Sequence, residues 1–158
     1  MNSPVGVYIP KGCDAVTAFA ALSMSGNFYV PLDTKSPSSR VESIITVLDT
    51  PILITDSEHF TDLQKITDRP ILVIDNSYTD SSIQCIAIEK LMEKQIDTDP
   101  VYSIFTSGST GIPKGVVVSH RGVIDYIDWA IETSISTQHL LLVIRLRFIS
   151  ITQRLIST

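Results

Sequence analysis

Residues Thr106 to Gly115 read TSGSTGIPKG, and their types and order suit one kind of chemistry. The hydroxyls of Thr106, Ser107, Ser109 and Thr110 can donate to phosphate oxygens or help hold a hydrated Mg²⁺. Gly108, Gly111 and Gly115 can take positive φ angles and let backbone N–H groups approach an anion closely. Lys114 adds one compact positive charge, and Pro113 stiffens its approach. No carboxylate interrupts the run, so nothing in it repels an anion. The natural reading is a cradle for a polyphosphate. A Ser/Gly-rich linker or an ordinary hairpin turn is the plainer alternative. Strand-like sequence on both sides and a single lysine at the far end weigh against the linker. The run also fails the Walker form, which needs Gly-x-x-x-x-Gly-Lys-Ser/Thr opening a helix, since here Lys114 follows Pro113 and precedes Gly115-Val116.

Phe105–Val116 resembles the phosphate-binding signature of the adenylate-forming superfamily, Tyr/Phe-Thr-Ser-Gly-Ser/Thr-Thr-Gly-x-Pro-Lys-Gly-Val, at every fixed position. That superfamily includes acyl-CoA synthetases, luciferases and the adenylation domains of nonribosomal peptide synthetases. A second stretch, Gly26-Asn27-Phe28-Tyr29-Val30-Pro31-Leu32-Asp33, is similar to the Gly-x-x-Tyr-Val-Pro-Ile/Leu-Asp of the amino-acid-activating members. Pro37 and Arg40 match the Pro-x-x-Arg that follows it there. The stretch is also a buried strand ending at a proline turn, and in the family its role is mainly structural.

The elements that must position the loop follow from periodicity. Tyr102–Thr106 alternates aromatic and β-branched residues with small polar ones, as a half-buried strand does, and Val116–Val118 resumes strand character after the loop. Earlier strands are predicted at Val5–Ile9, Phe28–Leu32, Ile52–Thr55 and Ile71–Ile74. A helix is predicted from a cap at Asp14 to about Ser25, with Gly26 as its stop. Being apolar nearly all round, it should be buried on several sides. Ser36 and Pro37 predict an N-cap and first turn. Behind them Val41, Ile44, Ile45 and Leu48 stand at helical spacing to about Asp49. Phe60, Leu63 and Ile66 suggest a short helix, and another is expected around Glu89–Glu93. Asp97, Asp99 and Pro100 mark a turn. Ser119 can cap a last helix carrying Val123, Ile127, Ala130 and Ile131 on one side, with Asp125 and Asp128 solvated and Trp129 packed. His120 at its start is expected to pack or hydrogen-bond rather than to catalyse. The alternation predicts an α/β fold with a largely parallel sheet flanked by helices. The resemblance implies an incomplete piece of the large N-terminal domain of an adenylate-forming enzyme.

At 158 residues, with 44% hydrophobic and 18% charged, the chain can bury a core. Its net charge of −5 argues against a nucleic-acid partner. Cys13 and Cys85 are too few and too far apart for a disulfide framework or a metal site, so no metal ligand is assigned. Met1–Gly12 lacks the features of a signal peptide, and Leu140–Ile144 is too short to span a bilayer. No membrane partner and a cytoplasmic location are the expectation.

The segment from 133 to 158 departs from the rest. It holds no Asp or Glu, while Arg145, Arg147 and Arg154 interrupt Leu and β-branched residues. Arg145 and Arg147 inside LLLVIRLRFISI suit neither a buried strand nor a two-faced helix. A basic interfacial segment is one reading. Out-of-frame translation fits better. Val143–Gln153 can be encoded by codons that, read one nucleotide earlier, give Gly-Asn-Gln-Ala-Pro-Phe-Tyr-Phe-Asp-Asn-Ser. Family members carry a similar Phe-Asp-x-Ser stretch at about this distance. Two units are therefore expected: 1–132, part of an AMP-binding/adenylation domain, and 133–158, an aberrant tail.

The resemblance implies a ligase that uses ATP and Mg²⁺. Its substrate would be a small-molecule carboxylate, and its thiol partner a phosphopantetheine carrier protein or CoA. Lys114 and Thr110 would be catalytic, with Thr106, Ser107, Gly108, Ser109, Thr110, Gly111 and Lys114 holding the phosphates. The family's Tyr-Gly-x-Thr-Glu segment, its ribose-binding Asp and its lid lysine have no match after Ser119, so the chain is expected to be inactive alone. The competing reading is a non-catalytic nucleotide- or phosphate-binding module.

Overall fold

The computed structural model describes residues 1–74, 85–107 and 112–133, the side chains of 85–87 excepted. Six strands form one sheet in the order β4-β3-β1-β2-β5-β6. They are β1 (Pro4–Tyr8), β2 (Phe28–Pro31), β3 (Leu53–Asp56), β4 (Ile71–Ile74), β5 (Pro100–Thr106) and β6 (Lys114–Ser119). Between and after them run α1 (Cys13–Met24), α2 (Ser38–Leu48), α3 (Phe60–Gln64), α4 (Cys85–Met92) and α5 (His120–Thr133). The first five strands are parallel, and β6 returns antiparallel beside β5. The α/β class and the largely parallel sheet agree with the sequence. The polar loop joins two hydrogen-bonded neighbours, as a hairpin loop does.

Side chains of β1 alternate between two cores. Val5, Val7 and Ile9 pack with Ala15, Ala18 and Leu22 of α1 and with Tyr29. Tyr8 packs with Val30, Leu32, Leu53 and Leu63 and with Val41, Ile44 and Ile45 of α2. The helix after β1 and the helix after β2 therefore cover opposite faces of the sheet. Adjacent strands whose connections leave to opposite faces open a crevice at their carboxyl ends, where α/β proteins bind ligands.

Several local details depart from the sequence reading. Asp14 is not the cap of α1. Gly12 occupies that position in extended backbone, and Asp14 lies in the first turn, where its charge complements the helix dipole. Only Ala15, Ala18 and Leu22 of α1 are buried, while Val16 is 61% exposed, so the helix covers the sheet with one face. Gly26 does terminate it. At φ 74° it occupies the left-handed region, and the Asn27 amide then donates back to Leu22 O at 3.1 Å. At α2, Pro37 itself is the cap residue, with ψ 139°, and Ser36 caps nothing. The Asp33 carboxylate accepts from Lys35 N at 3.0 Å and Asp33 O from Ser36 N at 3.0 Å, a turn that uses up the segment before Pro37. Trp129 is 51% exposed rather than packed. Cys13 is free and exposed, and the Cys85 side chain lies outside the described residues.

Candidate functional site: the mouth of the β5–β6 loop

The loop springs from the carboxyl end of β5, which lies beside β2 through a Tyr29↔Tyr102 register. Thr106, the last residue of β5, faces Lys114, the first of β6, across the ladder. Two groups of the signature, one hydroxyl and one ammonium, thus flank the loop's mouth at the carboxyl edge of the sheet. Thr106 Oγ1 lies 3.5 Å from Lys114 O. Thr106, Ser107 and Lys114 are all exposed, and Lys114 makes no ion pair among the described residues. Gly108, Ser109, Thr110 and Gly111 lie outside the described residues.

Beneath the mouth the strand is anchored. Ser103 and Phe105 are 2% and 8% exposed, so one face of β5 is fixed in the core while Thr106 emerges from it. Gly115 sits directly opposite Phe105. Among the described glycines Gly26 holds the positive φ, and Gly115 does not use the one open to it. Its need for glycine is steric instead. A Cβ there would lie 3.0 Å from Phe105 Cζ and 3.0 Å from Ser103 Oγ.

Three further contacts hold the hairpin, and periodicity alone did not point to them. The Arg40 Nη2 group of α2 donates to Phe105 O at 3.5 Å. Tyr29 stacks between Phe19 and Tyr102, with centroids 4.1 and 5.7 Å away, and burial raises its phenol to about 12. Asp99, at the turn before β5, accepts from Ile96 N and from Asn2 Nδ2, both at 3.0 Å. Those bonds hold its carboxyl below the usual range, with the Ile96 amide the larger cause. A Pro-x-x-Arg spacing was the only sequence signal for Arg40. The return of the chain is fixed by His120 N and Arg121 N, which donate to Asp99 O at 3.0 Å and Asp97 O at 2.7 Å. Ser119 Oγ accepts from Gly122 N at 3.3 Å, the N-cap expected for α5. His120 therefore serves the start of a helix through its backbone.

The arrangement can present an anion with the Lys114 ammonium and the Thr106 and Ser107 hydroxyls, with no carboxylate among the described residues of the loop. No helix among the described residues is long and apolar enough to cross a membrane.

Comparison with known proteins fits this geometry. Residues 1–152 match the family model described as AMP-binding enzyme. The chain is 33% identical over 137 residues to a D-alanine–D-alanyl carrier protein ligase of Lacticaseibacillus paracasei, a match covering 83% of the chain and 25% of that relative. It is 36% identical over 119 residues to syringomycin synthase SyrB1 of Pseudomonas syringae pv. syringae, covering 75% of the chain and 19% of the relative. Among solved structures, the nonribosomal peptide synthetase FmoA3 with α-methyl-L-serine-AMP bound superposes with a TM-score of 0.66. That match has 30% identity and covers 80% of this chain and 13% of that one. The chain thus spans a quarter or less of these curated relatives.

Proposed function

Because the chain belongs to the AMP-binding enzyme family, we propose that it is a piece of an adenylate-forming ligase of the amino-acid-activating branch, inactive by itself. In the parent reaction a carboxylate oxygen attacks the α-phosphorus of ATP. Pyrophosphate leaves, and an acyl-adenylate remains. A thiol, from a carrier protein's phosphopantetheine or from CoA, then attacks the acyl carbon, and AMP leaves.

The observation that carries this reading is the pairing of Thr106 with Lys114 at the carboxyl edge of the sheet. Negative charge collects on the departing pyrophosphate, and donors already in place stabilise it without reorganising. Ser107, Gly108, Ser109, Thr110, Gly111 and Lys114 take that part on the β- and γ-phosphates, while Thr106 sets the loop's entry. Thr110 is the choice for a hydroxyl beside phosphate or metal. Mg²⁺ would neutralise phosphate charge when bound with ATP, and hydroxyl oxygens are hard donors that suit it. Among the described residues no group of three His, Cys, Asp or Glu is placed to hold a metal on its own.

The likeness to a carrier protein ligase and to a nonribosomal peptide synthetase favours an amino acid as the acid and a carrier protein as acceptor. The parent's use of ATP supports a cytoplasmic location for it. We assign 1–132 to the AMP-binding domain and 133–158 to out-of-frame translation, although the family match itself runs on to residue 152. Sequencing the coding DNA decides that assignment, and a shifted frame without the Phe-Asp-x-Ser peptide would sink it.

The purified chain is expected to show no carboxylate-dependent pyrophosphate exchange. Robust exchange that Lys114→Ala abolishes would overturn the reading. Calorimetric titration with ATP tests the binding-module alternative, which submicromolar binding lost in Lys114→Ala would favour.

A further inference from the structure

One short turn closes the base of the β5–β6 hairpin. Strand β5 leaves the turn of residues 96–99, and the chain returns to it where β6 passes into α5. Within the turn Asp99 N donates to Ile96 O at 3.0 Å, and Ile96 N donates to Asp99 Oδ2 at 3.0 Å. The other carboxylate oxygen, Oδ1, accepts from Asn2 Nδ2 at 3.0 Å. Asn2 precedes β1 and Asp99 precedes β5, so this bond reaches past the start of β2, which lies between them in the sheet. The Asp99 carbonyl accepts from His120 N at the start of α5. A single residue thus joins the N-terminal segment, the entry to β5 and the exit from β6. Both carboxylate bonds are open to water, so a proton can reach them.

We propose that Asp99 is a proton-sensitive latch on the base of the β5–β6 hairpin, closed when its carboxylate is ionised and released when it is protonated. The latch does not depend on what the loop binds. An ionised carboxylate only accepts, whereas a carboxylic acid carries an O–H donor on one oxygen. Each Asp99 oxygen faces an N–H donor, so protonation sets one donor against another. The surrounding charges favour the ionised form. His120 lies at the start of α5, and its ring, when protonated, attracts the carboxylate. Asp97, in the same turn, is paired with Arg121 of α5 at 3.2 Å. Asn2 brings no charge from the N-terminal segment. The Ile96 amide first, and then Asn2, hold the Asp99 carboxyl below its usual range. A lowered folded-state pKa contributes stability above the unfolded value and loses it as pH falls through the folded one. The latch therefore opens below about pH 4.

Amide-exchange protection factors on the full chain, read by nuclear magnetic resonance from about pH 6 to about pH 3, test this. Protection at His120 and Arg121 should fall about threefold or more as the latch opens, while β3 keeps its protection. The Ile96 amide shift should move over the same pH span, because that amide donates to the carboxylate itself. Asp99→Asn, which cannot ionise, should show weak protection at His120 and Arg121 that no longer changes over this span. Asp97→Asn should keep the fall, because its carboxylate serves Arg121 alone among the described contacts. Circular-dichroism melts at neutral pH establish that both variants fold. If Asp99→Asn does not fold, the native chain still decides, since the Ile96 shift and the loss of protection must coincide. Unchanged protection in the native chain, an equal loss in β3, a fall that survives in Asp99→Asn, or one that Asp97→Asn removes would each overturn the proposal.

Discussion

Arg40 and Phe105, far apart in sequence, meet where β5 gives way to the loop. The guanidinium Nη2 donates to the Phe105 carbonyl oxygen at 3.5 Å. Helix α2, which follows β2, thereby braces the strand end from which the hydroxyl-rich loop departs. The bond is long, so its contribution belongs at the low end of the range for a charged donor.

Arg40→Ala should therefore cost on the order of 1 kcal/mol in urea denaturation. It should also speed amide exchange at Thr106 and Ser107 more than at the distant strand β4. Equal acceleration at both places would mean that the contact does not brace the loop.

Gly115→Ala is expected to destabilise by about 1–3 kcal/mol, as overpacking does, because the added methyl meets a buried aromatic ring. Phe105, at 8% exposure, has little room to move away. A variant as stable as the native chain would show that the hairpin tolerates a side chain there, and the steric account of this glycine would fail.

Lys114→Ala should separate stability from binding. Lys114 is exposed and makes no ion pair among the described residues, so its removal should change stability by no more than about 0.5 kcal/mol. Any affinity of the chain for ATP or pyrophosphate should nevertheless fall. Loss of folding in this variant would refute the view of Lys114 as a free ligand group.

Tyr29 makes a prediction about alkaline pH. Burial first, and then Tyr102, raise the pKa of its phenol from the ordinary 10.0 to about 12. A raised folded-state pKa means that this group's contribution is complete below its unfolded value and is lost as pH climbs from there through the folded value. Tyr29→Phe keeps the stack with Phe19 and cannot ionise, so its unfolding midpoint should fall less between about pH 10 and pH 12 than the native chain's. Parallel curves would show that the stack carries no such linkage.

Much of the fold could be read before any coordinates. Strands at Ile71–Ile74 and through Tyr102–Thr106 follow from alternation and β-branched content. Gly26 as a helix stop follows from a backbone angle that other residues resist. Where local pattern misled, a neighbour had intervened. Asp33 captured the amides ahead of Pro37 and displaced the expected cap. Trp129 looked like a core residue because its helix is apolar on more than half of its circumference, yet nothing among the described residues covers that side.

Residue types and spacing alone determined that one hydroxyl, glycine and lysine run would be the chemical centre of this chain. Donor number, charge and backbone freedom are properties of the residues themselves, so that conclusion needs no coordinates. Tertiary structure alone decided that Thr106 faces Lys114, that Arg40 braces Phe105 and that β6 ends the described sheet. Each of these depends on which strands lie side by side, and strand order comes from the competition of distant segments for the same two faces of the sheet.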